Sequence, residues 1–232
     1  MDLASFLDER EISFLNNAEK ILKEDWEKME ILIHQSCLTG KINSFINSDI
    51  MQGSTTMLGL RKDRPKTAGF ISVALRDIYI GNCGFALWND ESTETLKNYS
   101  TNILSVGAGA GFIESFLEKN GIKIKATDID PYTTWKKTYL PIKKLSAVKA
   151  VKRYPEKDLF ICWPSNKELW AYKAVQKLAS GKYIFLIADI GCCADEEFYD
   201  YLYNSEFIEE VEAVCIPSWY GMFDNLYIFR KK

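Results

Sequence analysis

Three glycines at alternate positions, Gly107, Gly109 and Gly111, break an apolar run that begins at Ile103 and give way at Phe112 to a helical spacing. Glycine has no Cβ, so a turn built this way takes backbone conformations closed to other residues and lets a ligand approach its amides. A strand feeding such a turn, followed by a helix with free N–H groups at its start, makes a ligand-binding crevice. Asp128 is the second pointed residue: it lies 17 positions beyond Gly111 and closes the apolar run Ile122–Thr127. A carboxylate there is placed to accept two hydrogen bonds from a ribose diol. The competing reading makes Asp128 or Asp130 the cap of a helix with Pro131 at its first position. The glycine turn upstream favours the nucleoside.

A turn and an acid of this kind need a sheet to hold them. From about residue 102 short apolar runs alternate with helical patterns. Ile103–Val106, Ile122–Thr127, a weaker run near Ala147–Val151, Leu159–Trp163, Tyr183–Ala188, Phe207–Ile216 and Leu226–Phe229 read as strands. Gly111–Asn120, Asn166–Ala179 and Asp195–Tyr203 read as helices between them, and Glu91-Ser92-Thr93-Glu94 as an earlier helix start. Parallel strands need crossover connections, so the alternation predicts a mostly parallel sheet covered by helices on both faces. The last two runs have no helix between them and read as a hairpin, which puts an antiparallel strand in the sheet.

Ahead of this, residues 3–35 carry Phe6, Phe14, Leu15, Ile21, Leu22, Trp26, Met29, Leu32 and Ile33 at spacings of three and four, the period of amphipathic helices. Their polar face mixes acids and bases, so packing within the protein is expected in preference to a membrane surface. Residues 41–69 hold Gly53, Gly59, Pro65 and Gly69 among polar and charged residues and mark a seam, or else a lid beside a site. The expected division is a helical extension over 1–69 and an α/β domain over 70–232.

The 232 residues suffice for one full-sized domain with an extension, and 47% hydrophobic with 26% charged residues is a globular balance. A net charge of −3 disfavours nucleic acid as a partner. The local cluster Lys136, Lys137, Lys143, Lys144, Lys149, Lys152 and Arg153 reads as a solvated face. Six scattered cysteines and a start without a signal-peptide pattern point to a cytoplasmic chain with reduced thiols and no membrane association. His34 is the single histidine and no Cys-x-x-Cys pair occurs, so no metal site is expected. His34, at the end of an apolar helical pattern, reads as partly buried or capping.

The order strand, Gly-x-Gly-x-Gly, helix, strand, Asp resembles the class I S-adenosylmethionine-dependent methyltransferases over roughly residues 80–232. A dinucleotide fingerprint wants glycine at position 112, where this chain has Phe112, and a nicotinamide-dependent oxidoreductase is accordingly the least favoured reading. The resemblance implies a Rossmann-like sheet of seven strands with the last antiparallel, and S-adenosylmethionine as cofactor. It implies cofactor contacts from Ser105, Gly107, Ala108, Gly109, Gly111, Asp128, Ile129 and Cys162. The strand Leu159–Cys162 ends in Trp163-Pro164 at the place of the family's fourth motif, next to the methyl group. More narrowly, Gly84-Phe85-Ala86, Cys162-Trp163-Pro164, Asp189-Ile190-Gly191-Cys192, Ile216-Pro217-Ser218-Trp219 and Asp224-Asn225-Leu226-Tyr227 are similar to a methyltransferase-like group whose substrates the sequence does not supply.

The chain departs from the family pattern at two places. Several members carry Asp or Asn followed by Pro-Pro and an aromatic in the fourth motif, to hold a target amine; here Cys162 and Trp163 stand there. Two residues before the first glycine the family usually has Asp or Glu, whose carboxylate helps organise the methionine end of the cofactor; here it is Ser105. A serine brings no charge for the ammonium, which leaves open weaker binding, a compensating acid such as Asp189 or Asp90, or a lost activity. On the catalytic side Trp163 is expected as an apolar wall stiffened by Pro164, and Asp189 as a group that orients substrate or acts as a base. Core packing is the competing role for Trp163, and helix capping or a surface salt bridge for Asp189. The expected function is a methyltransferase acting on a small-molecule or protein acceptor. The alternative is a catalytically silent member serving as an interaction or regulatory module. Neither the acceptor nor the oligomeric state is legible.

Overall fold

The computed structural model describes residues 76, 79–131, 138–216, 218 and 222–232. The expected helical extension over 1–69, its seam, His34 and Cys37 lie outside the described residues. So does most of the apolar segment 70–79, of which Arg76 and Tyr79 are helical.

Seven strands make one sheet: β1 (Asn102–Val106), β2 (Lys123–Asp128), β3 (Lys143–Lys144), β4 (Asp158–Cys162), β5 (Tyr183–Ala188), β6 (Ile208–Cys215) and β7 (Asn225–Lys231), in the order β3-β2-β1-β4-β5-β7-β6. The first five in that order run parallel, and β7 lies antiparallel between β5 and β6. This is the seven-stranded Rossmann-like sheet expected, closing hairpin included. Among the described residues from Gly81 onward the α-helices are α1 (Asp90–Lys97), α2 (Phe112–Lys119), α3 (Ala147–Arg153), α4 (Trp170–Gln176) and α5 (Glu196–Asn204). None among the described residues is long and apolar enough to cross a membrane.

The central strands are buried on both sides, and their two-residue period sorts side chains between two cores. Ile103, Phe160, Phe185 and Ile187 join Leu96 of α1 and Phe112, Phe116 and Leu117 of α2. Leu104, Val106, Leu159, Ile161, Ile184 and Leu186 join Ala150 and Val151 of α3, Ala171 and Val175 of α4, and Phe198 and Leu202 of α5. By this alternation Ser105 belongs to the α2 side of the sheet.

Two helix starts follow side-chain caps. Asn89 accepts the backbone N–H of Ser92 at 2.8 Å to start α1, one residue before the expected boundary, and Asp195 accepts that of Phe198 at 2.8 Å to start α5. One expectation is corrected: the run near Ala147–Val151 is helix α3, and the third strand is the two-residue Lys143–Lys144 just before it. Ala147, Ala150 and Val151 recur at helical spacing, and Lys152 and Arg153 fall in the last turn, where cations suit the helix dipole. The edge strand β6 carries Glu209, Glu210 and Glu212 on its exposed positions and slips register between Glu210 and Glu212, both of which discourage edge-to-edge pairing.

Candidate functional site

All three glycines of the turn have left-handed backbones, with φ of 68° at Gly107, 55° at Gly109 and 73° at Gly111. At Gly107 a Cβ would also stand 2.9 Å from the Trp170 ring, so both conformation and space require glycine. The turn is fastened to its neighbour strand: the Ala108 N–H donates to the Thr127 carbonyl at 3.1 Å, and the Gly109 N–H to Asp128 Oδ2 at 2.9 Å. The other oxygen of Asp128 accepts the Asp130 N–H at 2.8 Å. A carboxylate has about four acceptor positions, so two remain for a ligand.

The strand order reverses between β1 and β4, and a crevice opens there at the carboxyl ends of the parallel strands, as the geometry of open α/β sheets dictates. It is a cavity of about 410 Å³, within the usual size of a small-ligand site. Gly107, Ala108, Gly109 and Ala110 line it from the turn after β1, and Asp128, Ile129 and Asp130 from the end of β2. Cys162, Trp163 and Ser165 line it from the end of β4, Phe112, Ile113 and Glu114 from α2, Phe85 and Ala86 from the segment before α1, and Trp170 from α4. The structure thus brings together most of the residues singled out in the sequence. Gly111, Pro164, Asp189 and Ser105 do not line it. Gly111 is the residue before α2 and Ser105 is buried beneath the cavity wall.

Beside Ser105 stands a carboxyl group from another element, Glu114 of α2. Ser105 Oγ donates to Glu114 Oε1 at 2.6 Å. Glu114 is 3% exposed, and burial pushes its carboxyl up to about 7, against the lowering effect of the Ser105 hydroxyl. Neither of the two acids named as possible substitutes, Asp90 and Asp189, lines the cavity; Glu114 does. The signal was present in the sequence as an acid inside the helical run Phe112-Ile113-Glu114-Ser115-Phe116-Leu117, every position of which is buried. Its apolar neighbours carry the helical period, and the acid itself breaks it.

At the β4 end, Trp163 is half-buried, has a left-handed backbone with φ of 49°, and stacks on Phe85 with ring centroids 5.4 Å apart. Its indole N–H donates to Asp224 Oδ1 at 2.8 Å, and the Arg76 guanidinium lies 5.2 Å from its ring centroid. Asp224 is buried and burial raises its carboxyl to about 6, the Trp163 N–H opposing that shift. Trp163 both packs against the two cores and faces the cavity, so the two roles weighed for it coincide in one side chain. Asp189 has its oxygens engaged by backbone: Oδ1 accepts the Gly191 N–H at 3.3 Å and Oδ2 the Phe223 N–H at 3.0 Å. The Cys162 thiol, beside the cavity, is held neutral by burial.

No family model matches the chain, and no curated protein matches it. Among solved structures it is similar to an S-adenosylmethionine-dependent methyltransferase from Anabaena variabilis ATCC 29413, at 8% identity over 61% of this chain and 82% of that one, with a TM-score of 0.45. It is also similar to the N-methyltransferase NodS from Bradyrhizobium japonicum WM9 in complex with S-adenosyl-L-homocysteine, at 17% identity over 61% and 86% of the two chains and a TM-score of 0.40. An rRNA methylase from Streptococcus thermophilus matches at 11% identity over 61% and 94%, with a TM-score of 0.38. These are distant likenesses of outline, and they decide neither ligand nor reaction.

Proposed function

We propose that the protein is a methyltransferase that binds S-adenosylmethionine in the cavity between the Gly107–Gly111 turn and Asp128. The observation that carries this reading is the convergence on one cavity of the glycine turn, the Asp128 carboxylate and the Trp163 strand end. The donor set fits such a ligand: Asp128 keeps acceptor positions for a ribose diol, Ile129 offers an apolar surface, and Glu114 places a buried carboxyl in the wall. When bound, this cofactor supplies an electrophilic methyl group on a sulfonium. The protein's own part is to align the two partners and keep water out. Phe85 and Trp163 form an aromatic slab beside the cavity, and Asp224 holds the Trp163 indole in place through its N–H. With Cys162 neutral and Asp189 engaged by backbone amides, the part of the strand end played by this slab is to orient the acceptor.

Titration calorimetry with S-adenosylmethionine and S-adenosylhomocysteine tests the reading, with binding of both as the expected outcome. Asp128→Ala is expected to weaken it by about 1–3 kcal/mol, the scale of a lost charged hydrogen-bonding partner. No binding of either ligand at millimolar concentration would sink the proposal. The silent-module alternative is favoured by one observation, the absence of an acid or amide at the Cys162-Trp163-Pro164 strand end. Tight binding without turnover on small-molecule and protein acceptors would select it.

A further inference from the structure

Glu114 is a carboxyl almost wholly removed from water, set in the wall of a ligand cavity, with no cation beside it among the described residues. Neither ion pair among those residues includes it; its carboxyl accepts the Ser105 hydroxyl at 2.6 Å and is further favoured in its ionised form by its own backbone N–H at the start of α2. The groups facing it are Ser105 on β1, the Asp128 carboxylate at the end of β2 and the neutral Cys162 thiol at the end of β4. None of these carries positive charge. A buried carboxylate is costly unless paired, so a ligand that brings a cation into this cavity gains from Glu114 a pairing that the described residues do not supply. Its place in the first turn of α2 adds the favourable end of the helix dipole to the ionised form.

We propose that Glu114, steadied by Ser105, binds the ammonium group at the amino-acid end of the cofactor. The charge that position 105 lacks then enters the cavity from α2 instead of β1. This inference rests on the S-adenosylmethionine reading of the cavity and deepens it. It also makes binding depend on pH: Glu114 must be ionised to pair with the ammonium, so affinity rises as pH passes upward through the value near 7 at which the free carboxyl titrates.

Titration calorimetry with two ligands separates this from the parent reading. S-adenosylhomocysteine carries the ammonium; 5′-methylthioadenosine shares its nucleoside and thioether but lacks the amino-acid end. For the unaltered protein, S-adenosylhomocysteine is expected to bind about tenfold more tightly at pH 8 than at pH 6, with 5′-methylthioadenosine unchanged. Glu114→Gln, which keeps an acceptor for Ser105, should cost the first ligand roughly ten- to hundredfold in affinity, abolish its pH dependence, and leave the second alone. The paired variant Ser105→Asp with Glu114→Gln should recover most of the loss, because a carboxylate is restored on the strand. Equal affinities of S-adenosylhomocysteine for the unaltered protein and Glu114→Gln at both pH values would overturn the assignment while leaving the cofactor site intact. Failure of both ligands to bind the unaltered protein would overturn the cofactor reading itself, and this role of Glu114 with it.

Discussion

Single residues set the character of the cavity. Gly107 shows how tightly: its left-handed backbone and the 2.9 Å that a Cβ would leave to the Trp170 ring act together. Gly107→Ala is expected to cost about 1–2 kcal/mol in backbone strain alone and, by displacing the cavity-lining Trp170 ring, to weaken ligand binding. Gly121→Ala makes the control, since Gly121 has φ of 87° but nothing within 4 Å of its Cβ position. It should lose stability on the same scale in urea denaturation with ligand affinity unchanged; equal losses of affinity in both variants would show that the Trp170 contact is irrelevant. At this scale the sequence was informative where a residue's type had one physical use. Alternating glycines after a strand, with an acid at the end of the next one, serve few purposes besides holding a ligand. The sequence marked Glu114 only ambiguously, because a lone acid in an apolar helix looks like an exposed position until the sheet shows that Ser105 lies under it.

Elements deliver these residues by their register. The two-residue period of β1 turns Ser105 toward α2, and a helix beginning directly after the glycine turn brings Glu114 over it. A second element-level device stands at the far end of β7, where buried Lys231 donates from Nζ to the carbonyls of Val175 at 2.9 Å and Gln176 at 2.8 Å, closing the C-terminal end of α4. Lys231→Met is expected to destabilise the protein by about 1–3 kcal/mol, read in urea denaturation, with faster amide exchange in the last turn of α4. Unchanged exchange there would mean that the cap does not hold the helix. Strand and helix order was legible because parallel strands and crossover helices differ in period. The Ala147–Val151 segment misled because a short run of alanine and valine has both periods at once; Lys143–Lys144, a two-residue edge strand of lysines, carries no apolar signal at all.

For the whole molecule, the two most strongly raised carboxyls among the described residues leave a mark on stability. Glu114 titrates at about 7 and Asp224 at about 6 when folded. An unfolded chain releases these protons near pH 4, so between that value and the folded ones the native state holds more protons, and stability falls as pH rises. The unaltered protein should therefore lose stability between about pH 5 and 7.5, and Glu114→Gln should lose less, by on the order of 1–3 kcal/mol. Urea denaturation of both at the two pH values checks this; parallel losses would place the buried charge elsewhere. The architecture as a whole was readable from the order of periods, because seven strands with one closing hairpin leave few ways to be covered by helices. The proposed seat of the acceptor was less so, since it depends on how Phe85, Trp163 and Asp224, distant in sequence, meet at one end of the sheet.

The central claim is that this cavity is an S-adenosylmethionine site, and a crystal structure of the protein with S-adenosylhomocysteine tests it most directly. The ribose hydroxyls are expected within hydrogen-bonding distance of Asp128 and the ammonium beside Glu114. A ligand seated outside the cavity, or a ribose held by other residues while Asp128 keeps only its amide partners, would contradict it.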